Sequence, residues 1–351
     1  MKKWRIGIVG AGNIAQSAHL PAYEKLRDRA EIVAIADLDV ERAEKAAAKF
    51  GIPAAYDSAE ALLAGTDVDC IDICTWNNGH APVTIAAARA GKHILCEKPM
   101  ADSLENALAM ERAVQENGVK FMVAVVTRYS TEAQTAHAMQ ENGSLGDVYF
   151  ARTAYTRRRG TPMGWFTNTS KSGGGPVIDI GVHCIDRTWF LMGRPKPVSV
   201  TAATSYAIGD YKTRGVDRWL AFSGADSVFD TEDSAAAFIR FENGAVMNAE
   251  ISWAQNAPPE SYVRLYGTKA GITFDPLTVY GENDAGFLSD SIVTCGGNGE
   301  DIFENEIVWF LDSLDGKKEI LSPASDGVAV QRILDGIYRS AKLGREVRLD
   351  E

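Results

Sequence analysis

The stretch "WRIGIVGAGNIAQSAHL", beginning at residue 4, constrains the fold more than any other part of the chain. A short apolar strand pattern runs directly into Gly10, Gly12 and Ala15, spaced G-x-G-x-x-A, and a helical pattern follows. Gly10 permits a tight turn, Gly12 lets the backbone approach a pyrophosphate, and Ala15 keeps the helix close to the strand. The helix N-terminus then offers free N–H groups and the positive end of a dipole to phosphates. Asn13 and Ile14, inside the same turn, join Gly10 and Gly12 as candidate cofactor-binding residues.

The rest of the first 125 residues fits that opening. "EIVAIAD", "VDCIDICT", "KHILCEK" and "VKFMVAVV" read as further strands, separated by helical stretches such as "VERAEKAAAKF". Strands alternating with helices imply crossover units and a parallel sheet covered on both faces. The second strand ends in Asp37, where an acidic side chain can bond both ribose hydroxyls of an adenosine. Asp39 can cap the following helix instead, which leaves Asp37 available. No basic residue follows directly to welcome a 2′-phosphate, so NAD is expected over NADP, with Arg42 the feature that speaks for the latter.

After about residue 126 the rhythm becomes β-rich. "RFENGAV" places Asn243-Gly244 between two strand patterns, a hairpin signal. In "VMNAEISWA" Met247, Ala249, Ile251 and Trp253 form one apolar face. The expected organisation is a dinucleotide-binding α/β domain, a doubly wound parallel sheet, over 1–126. An α+β domain over 127–351 would carry a large, mostly antiparallel open sheet, bind substrate and form oligomers. Its strand "SAAAFIRF" is apolar on more than one face, which suggests a homodimer or homotetramer.

Composition excludes several classes. The net charge of −11 argues against nucleic-acid or anionic-membrane binding. No apolar run approaches ~20 residues, so no membrane span is expected. The five cysteines are odd in number and lack zinc-knuckle spacing, which reads as reduced core thiols in a cytoplasmic protein.

Two later motifs, "DICTWNNGHAPVTIAAARAGKHILCEKPM" and "SGGGPVIDIGVHCID", join the N-terminal glycine motif in an order that resembles the glucose–fructose oxidoreductase / inositol dehydrogenase (Gfo/Idh/MocA) family. The resemblance covers essentially the whole chain. It implies NAD-dependent oxidoreduction of a sugar or cyclic polyol bound between the two domains. It also implies that Lys98 is the catalytic lysine, His183 the acid/base and Asp179 the acidic residue one turn earlier. Thr75, Asn77 and His80 match the loop that passes the cofactor. The chain departs from the family pattern at Trp76, where proline is usual, and at Trp165-Phe166, where Trp-Arg is frequent. Trp76 would itself flank the cofactor, and Lys171 could replace the missing arginine at the phosphates.

The residues are consistent with that chemistry. Lys98 stands just past a strand end, where ligands of open α/β sheets bind, and could stabilise charge on a reacting oxygen. Asp179 and His183 are spaced i, i+4 and share one helix face. A histidine titrating near neutrality can take a hydroxyl proton as hydride leaves. Pro99 restricts the backbone of Lys98 and leaves the cis or trans state open, and Glu97 turns toward the cofactor or a cation. Asp179 could instead cap its helix. Arg128, Arg157 and Trp165 are candidates for the substrate wall. No metal is expected, since Asp179, His183 and Asp186 on one helix would need an open-faced geometry. Within the family, the alternatives are an NAD-retaining sugar–sugar oxidoreductase and an oxidation–elimination glycosidase. Outside enzymes, the alternative is an idle NAD-binding regulatory module, against which intact Lys98 and His183 speak.

Overall fold

A computed structural model of the protein describes residues 2–219, 228–296 and 299–350. The N-terminal half is built on six parallel strands: β1 (Trp4–Val9), β2 (Ala30–Ala36), β3 (Ala54–Tyr56), β4 (Cys70–Ile73), β5 (His93–Glu97) and β6 (Phe121–Ala124). Their order is β3-β2-β1-β4-β5-β6, a doubly wound sheet whose order reverses between β1 and β4. The near-continuous apolar strands are buried on both faces, as crossover helices require. β3, three half-buried residues long, is too short to show a period and adds a sixth strand to the five read from sequence.

Nine strands form the second sheet: β7 (Val148–Thr156), β8 (Pro197–Ser205), β9 (Ser234–Phe241), β10 (Val246–Ser252), β11 (Glu260–Gly267), β12 (Gly271–Thr273), β13 (Thr278–Glu282), β14 (Leu288–Ile292) and β15 (Val347–Arg348). The order is β14-β13-β12-β11-β7-β10-β9-β8-β15. Among the described pairs only β7–β10 is parallel. The β9–β10 hairpin turns at Asn243-Gly244, where Gly244 takes φ +84, a conformation open to glycine. One sheet face buries Ala237, Ile239, Met247, Ala249, Ile251, Val263 and Leu265. Against it pack the helices Val182–Leu191 and Ala324–Leu343. The other face carries rings and guanidinium groups: Phe150 stacks on Tyr266 at 5.2 Å, and Arg264 and Arg240 lie over Tyr262 and Phe238.

The C-terminal segment returns to the first sheet. Ser322 receives the Val123 N–H and donates its hydroxyl to the Val123 carbonyl, beside β6. Trp4 Nε1 donates to Asp315, and Arg29 bridges Asp312 and Asp315, so the helix Ile302–Leu314 lies against the N-terminal half. No helix of the described residues is long and apolar enough to cross a membrane.

Candidate active site

Four strand ends converge on one edge of the parallel sheet. β1 runs into Gly10, β2 into Asp37, β4 toward Thr75 and Trp76, and β5 into Lys98. They border a cleft of about 850 Å³ at the point where the strand order reverses. Every residue expected to hold the cofactor lines it except His80 and Lys171, whose ammonium lies over the Trp76 ring instead. His80 is fully buried, with Nδ1 2.8 Å from the Pro99 carbonyl and Nε2 3.3 Å from that of Thr75. Burial lowers its pKa, so the neutral ring has one N–H, donates it to one of the two carbonyls, and sits behind the cleft without lining it.

The glycine turn fits a dinucleotide. Gly10 has φ +100, and a Cβ there would lie 2.5 Å from the Cys74 carbonyl and 2.8 Å from the Thr75 nitrogen. At Gly12 a Cβ would meet nothing within 4 Å, so this backbone faces open space where a pyrophosphate can approach the helix start. Asp37 accepts the Ala11 N–H at 2.8 Å and the Asp39 N–H at 2.8 Å, which ties β2 to the turn. Arg42 lies beside it, paired to Asp37 at 3.3 Å and to Asp39 at 3.0 Å. Asp39 caps the helix Val40–Phe50, accepting the Arg42 N–H.

Lys98 crosses the cleft. Its ammonium donates to the Asp179 carbonyl at 3.0 Å and approaches Oδ1 at 3.4 Å. The Lys98–Pro99 bond is cis. Asp179 sits inside a π-helical turn, Val177–Gly181, that leads into the helix Val182–Leu191. It does not cap that helix. Its second oxygen accepts the Trp253 indole N–H at 2.9 Å. His183 follows one turn later. Burial, then the Lys98 ammonium and the Arg157 guanidinium, holds this imidazole well below its ordinary value, so it is neutral. Its Nδ1 has no hydrogen-bond partner among the described residues. Neither His183 nor Arg157 is part of the cleft lining, whereas Trp165 is.

Arg128 does not reach the substrate wall. Its side chain is fully buried; it donates to both Asp186 oxygens, at 2.8 and 2.6 Å, and to Asp326 at 2.6 Å. The same pairing removes Asp186 from any site with Asp179.

Sequence reasoning missed three supports. Glu232 is buried and accepts the N–H groups of Gly175 and Val177 and the Tyr338 hydroxyl, fixing the turn that carries Asp179. Trp253 reads from its strand as plain core. His19 belongs to no motif, yet its ring donates to Asp72 at 2.8 Å and to Glu97, the neighbour of Lys98, at 3.0 Å. Burial opposes a charge on His19, but the Asp72 carboxylate outweighs it and holds the ring protonated. Glu97 in turn accepts the Lys98 N–H at 3.0 Å. Cys74 lies close enough to make a three-residue metal set with His19 and Asp72, but these groups already bond one another. No local pattern marks these residues, because their partners are remote in sequence.

The fold and cleft define a two-domain oxidoreductase with an NAD(P)-binding Rossmann domain. Residues 4–125 match the model of the oxidoreductase family with an NAD-binding Rossmann fold, and residues 133–273 match the GFO/IDH/MocA C-terminal domain. The chain belongs to the GFO/IDH/MocA family. It is similar to D-glucoside 3-dehydrogenase of Escherichia coli (strain K12), 31% identical, covering 98% of this chain and 97% of the relative. Inositol 2-dehydrogenase of Rhizobium meliloti (strain 1021) is 26% identical, with 98% and 99% covered. A solved levoglucosan dehydrogenase in complex with NADH and L-sorbose superimposes with a TM-score of 0.84 at 26% identity, covering 99% of each chain.

Proposed function

We propose that the protein is an NAD-dependent dehydrogenase that oxidises a secondary hydroxyl of a sugar, glycoside or cyclic polyol. One observation carries the reading most directly. A lysine lining the cleft touches Asp179, whose other oxygen is held by Trp253, and one turn further stands a histidine kept neutral. The bound dinucleotide supplies the hydride acceptor. Lys98 donates a hydrogen bond to the reacting oxygen and stabilises charge that develops on it. His183 takes the hydroxyl proton as the C–H bond breaks, a role for which a neutral imidazole is required. Asp179, held by the Trp253 indole, fixes the Lys98 ammonium and orients the substrate. Asp37 favours NAD, because its carboxylate stands where a 2′-phosphate would be repelled, and Arg42 is already engaged by two carboxylates.

The similarity to dehydrogenases of a glucoside and of inositol supports a polyhydroxylated substrate. A panel of polyols, aldoses and glycosides with NAD, followed as NADH absorbance, tests the reading. Turnover by none of them, in protein that binds NADH, would overturn it. The ring-and-guanidinium face of the second sheet is proposed as a self-association surface, giving a dimer or tetramer. A monomer mass by light scattering at micromolar concentration would refute that assembly.

A further inference from the structure

Both departures from the family pattern meet at one place. Trp76 follows the Cys74-Thr75 backbone that lies against Gly10, so it leaves the chain beside the glycine turn. Its ring faces Trp165 at 6.5 Å with an interplanar angle of 29°. Trp165 stacks on Phe166 at 4.0 Å, and Phe166 contacts Trp219 at 5.4 Å. The Lys171 ammonium lies 4.5 Å above the Trp76 ring. The four rings border the same cleft as Gly12 and Lys98.

This row is built in place. Asn77 and Asn78, just after Trp76, donate side-chain N–H groups to the Ser172 and Ser170 carbonyls. Trp219 receives the Met163 N–H at 2.8 Å, while the preceding Arg218 pairs with Asp210 at 2.8 Å and reaches the Pro162 carbonyl at 3.3 Å. The outermost ring, Trp219, stays 53% exposed despite these anchors. The row also crosses from one half of the molecule to the other: Trp76 belongs to the parallel-sheet half and the other three rings to the second. A dinucleotide lying on the glycine turn would therefore share its groove with these four rings.

We infer that Trp76, Trp165, Phe166 and Trp219 form a roof over the dinucleotide groove that slows release of the reduced cofactor. This deepens the proposed function only at the cofactor; it rests on dinucleotide binding and on no particular sugar. A stacked aromatic contact is strong enough to change a rate severalfold to about tenfold. Release of NADH from preloaded protein, followed by nucleotide fluorescence after mixing with excess NAD, measures the effect without turnover. Trp76→Ala and Trp165→Ala are expected to speed release by about tenfold. Trp165→Phe, which keeps a ring in the row, should stay within about threefold of wild type, and Trp219→Ala should speed release by a smaller factor. Because the Trp219 ring is half exposed, its removal tests the row even where an inner substitution costs stability. Release rates within twofold of wild type in both Trp76→Ala and Trp219→Ala, with melting temperatures unchanged, would overturn the roof. A failed sugar panel alongside accelerated release would sink the substrate reading and leave the roof standing.

Discussion

Lys98 and Arg128 are two cations beside aspartates, each shortly after the end of a parallel strand, and their surroundings are opposite. Arg128 is wholly buried, and its donors are taken by Asp186, Asp326 and the Leu321 carbonyl. Burial opposes its charge, yet Asp186, aided by Asp326, holds the guanidinium firmly protonated. Lys98 keeps 18% of its side chain exposed at the cleft and makes one good bond, to a carbonyl, plus a long approach to a carboxylate. A saturated cation holds structure together, whereas an unsaturated one at a cleft retains donors for a ligand. The comparison turns on how many donors remain, and it can be broken at either end.

The largest expected effect is on stability. Arg128→Met leaves the buried Asp186 carboxylate without its cation, while Asp326 keeps Arg194 at 2.9 Å, and breaking a buried pair this way costs about 3–5 kcal/mol. Denaturant midpoints should fall accordingly, while kcat per folded molecule changes little. A midpoint within about 1 kcal/mol of wild type, the range of a surface pair, would remove the distinction.

Lys98→Met should do the reverse. Loss of a group that stabilises the transition state by about 3–4 kcal/mol lowers kcat by about 10²–10³. The melting temperature and NADH affinity should hardly move, since the methionine stem fills the same space. A variant that keeps more than about a third of wild-type kcat, a change under 1 kcal/mol, would return Lys98 to the role of a turn residue.

The contrast also explains what could be read in advance. The places of Gly10, Gly12, Asp37, Lys98 and Asp179 on the cleft were legible because each depends on a local pattern, a turn that only glycine makes or a strand end with a nearby helix start, whereas His183 stands off the cleft lining. Arg128 was misplaced for the opposite reason. A cation after a strand looks the same whether or not aspartates arrive 58 and 198 residues later to bury it. The support beneath Lys98 was hidden likewise: His19, Asp72 and Glu97 come from three separate segments, and Glu306, fully buried with both oxygens unpartnered among the described residues, joins them from a fourth. Burial, then the Glu97 charge, raises Glu306 well above its ordinary value, so it is a neutral acid there. At the sheet edge, β13 and β14 are five residues each with little burial, too short and exposed to leave a periodic signal.

A smaller effect concerns the cofactor end. Asp37→Ser removes the carboxylate proposed to repel a 2′-phosphate and leaves Arg42 paired only to Asp39. The ratio of kcat/KM for NAD over NADP should fall by about tenfold, roughly 1.4 kcal/mol. Most of the change should appear as improved use of NADP. Equal use of both cofactors by the unmutated protein would contradict the role given to Asp37.

The smallest effect separates two jobs for Arg157. Its guanidinium donates to the Gly160 carbonyl at 3.1 Å and the Tyr155 hydroxyl at 3.3 Å, and its charge helps, after burial and Lys98, to depress the pKa of His183. The base must be neutral to accept a proton, so kcat/KM should hold its plateau from pH 8 down past the ordinary imidazole value near 6.5 and fall only below it. Arg157→Gln preserves a polar donor and removes one cation. The imidazolium form of His183 then becomes less unfavourable, its pKa rises toward the ordinary value, and the acid limb of kcat/KM moves to higher pH. The plateau at pH 8 should change little, because His183 is neutral there in both proteins. An acid limb that stays in place while the plateau falls and KM for the sugar rises would instead make Arg157 a substrate contact with no hold on the base.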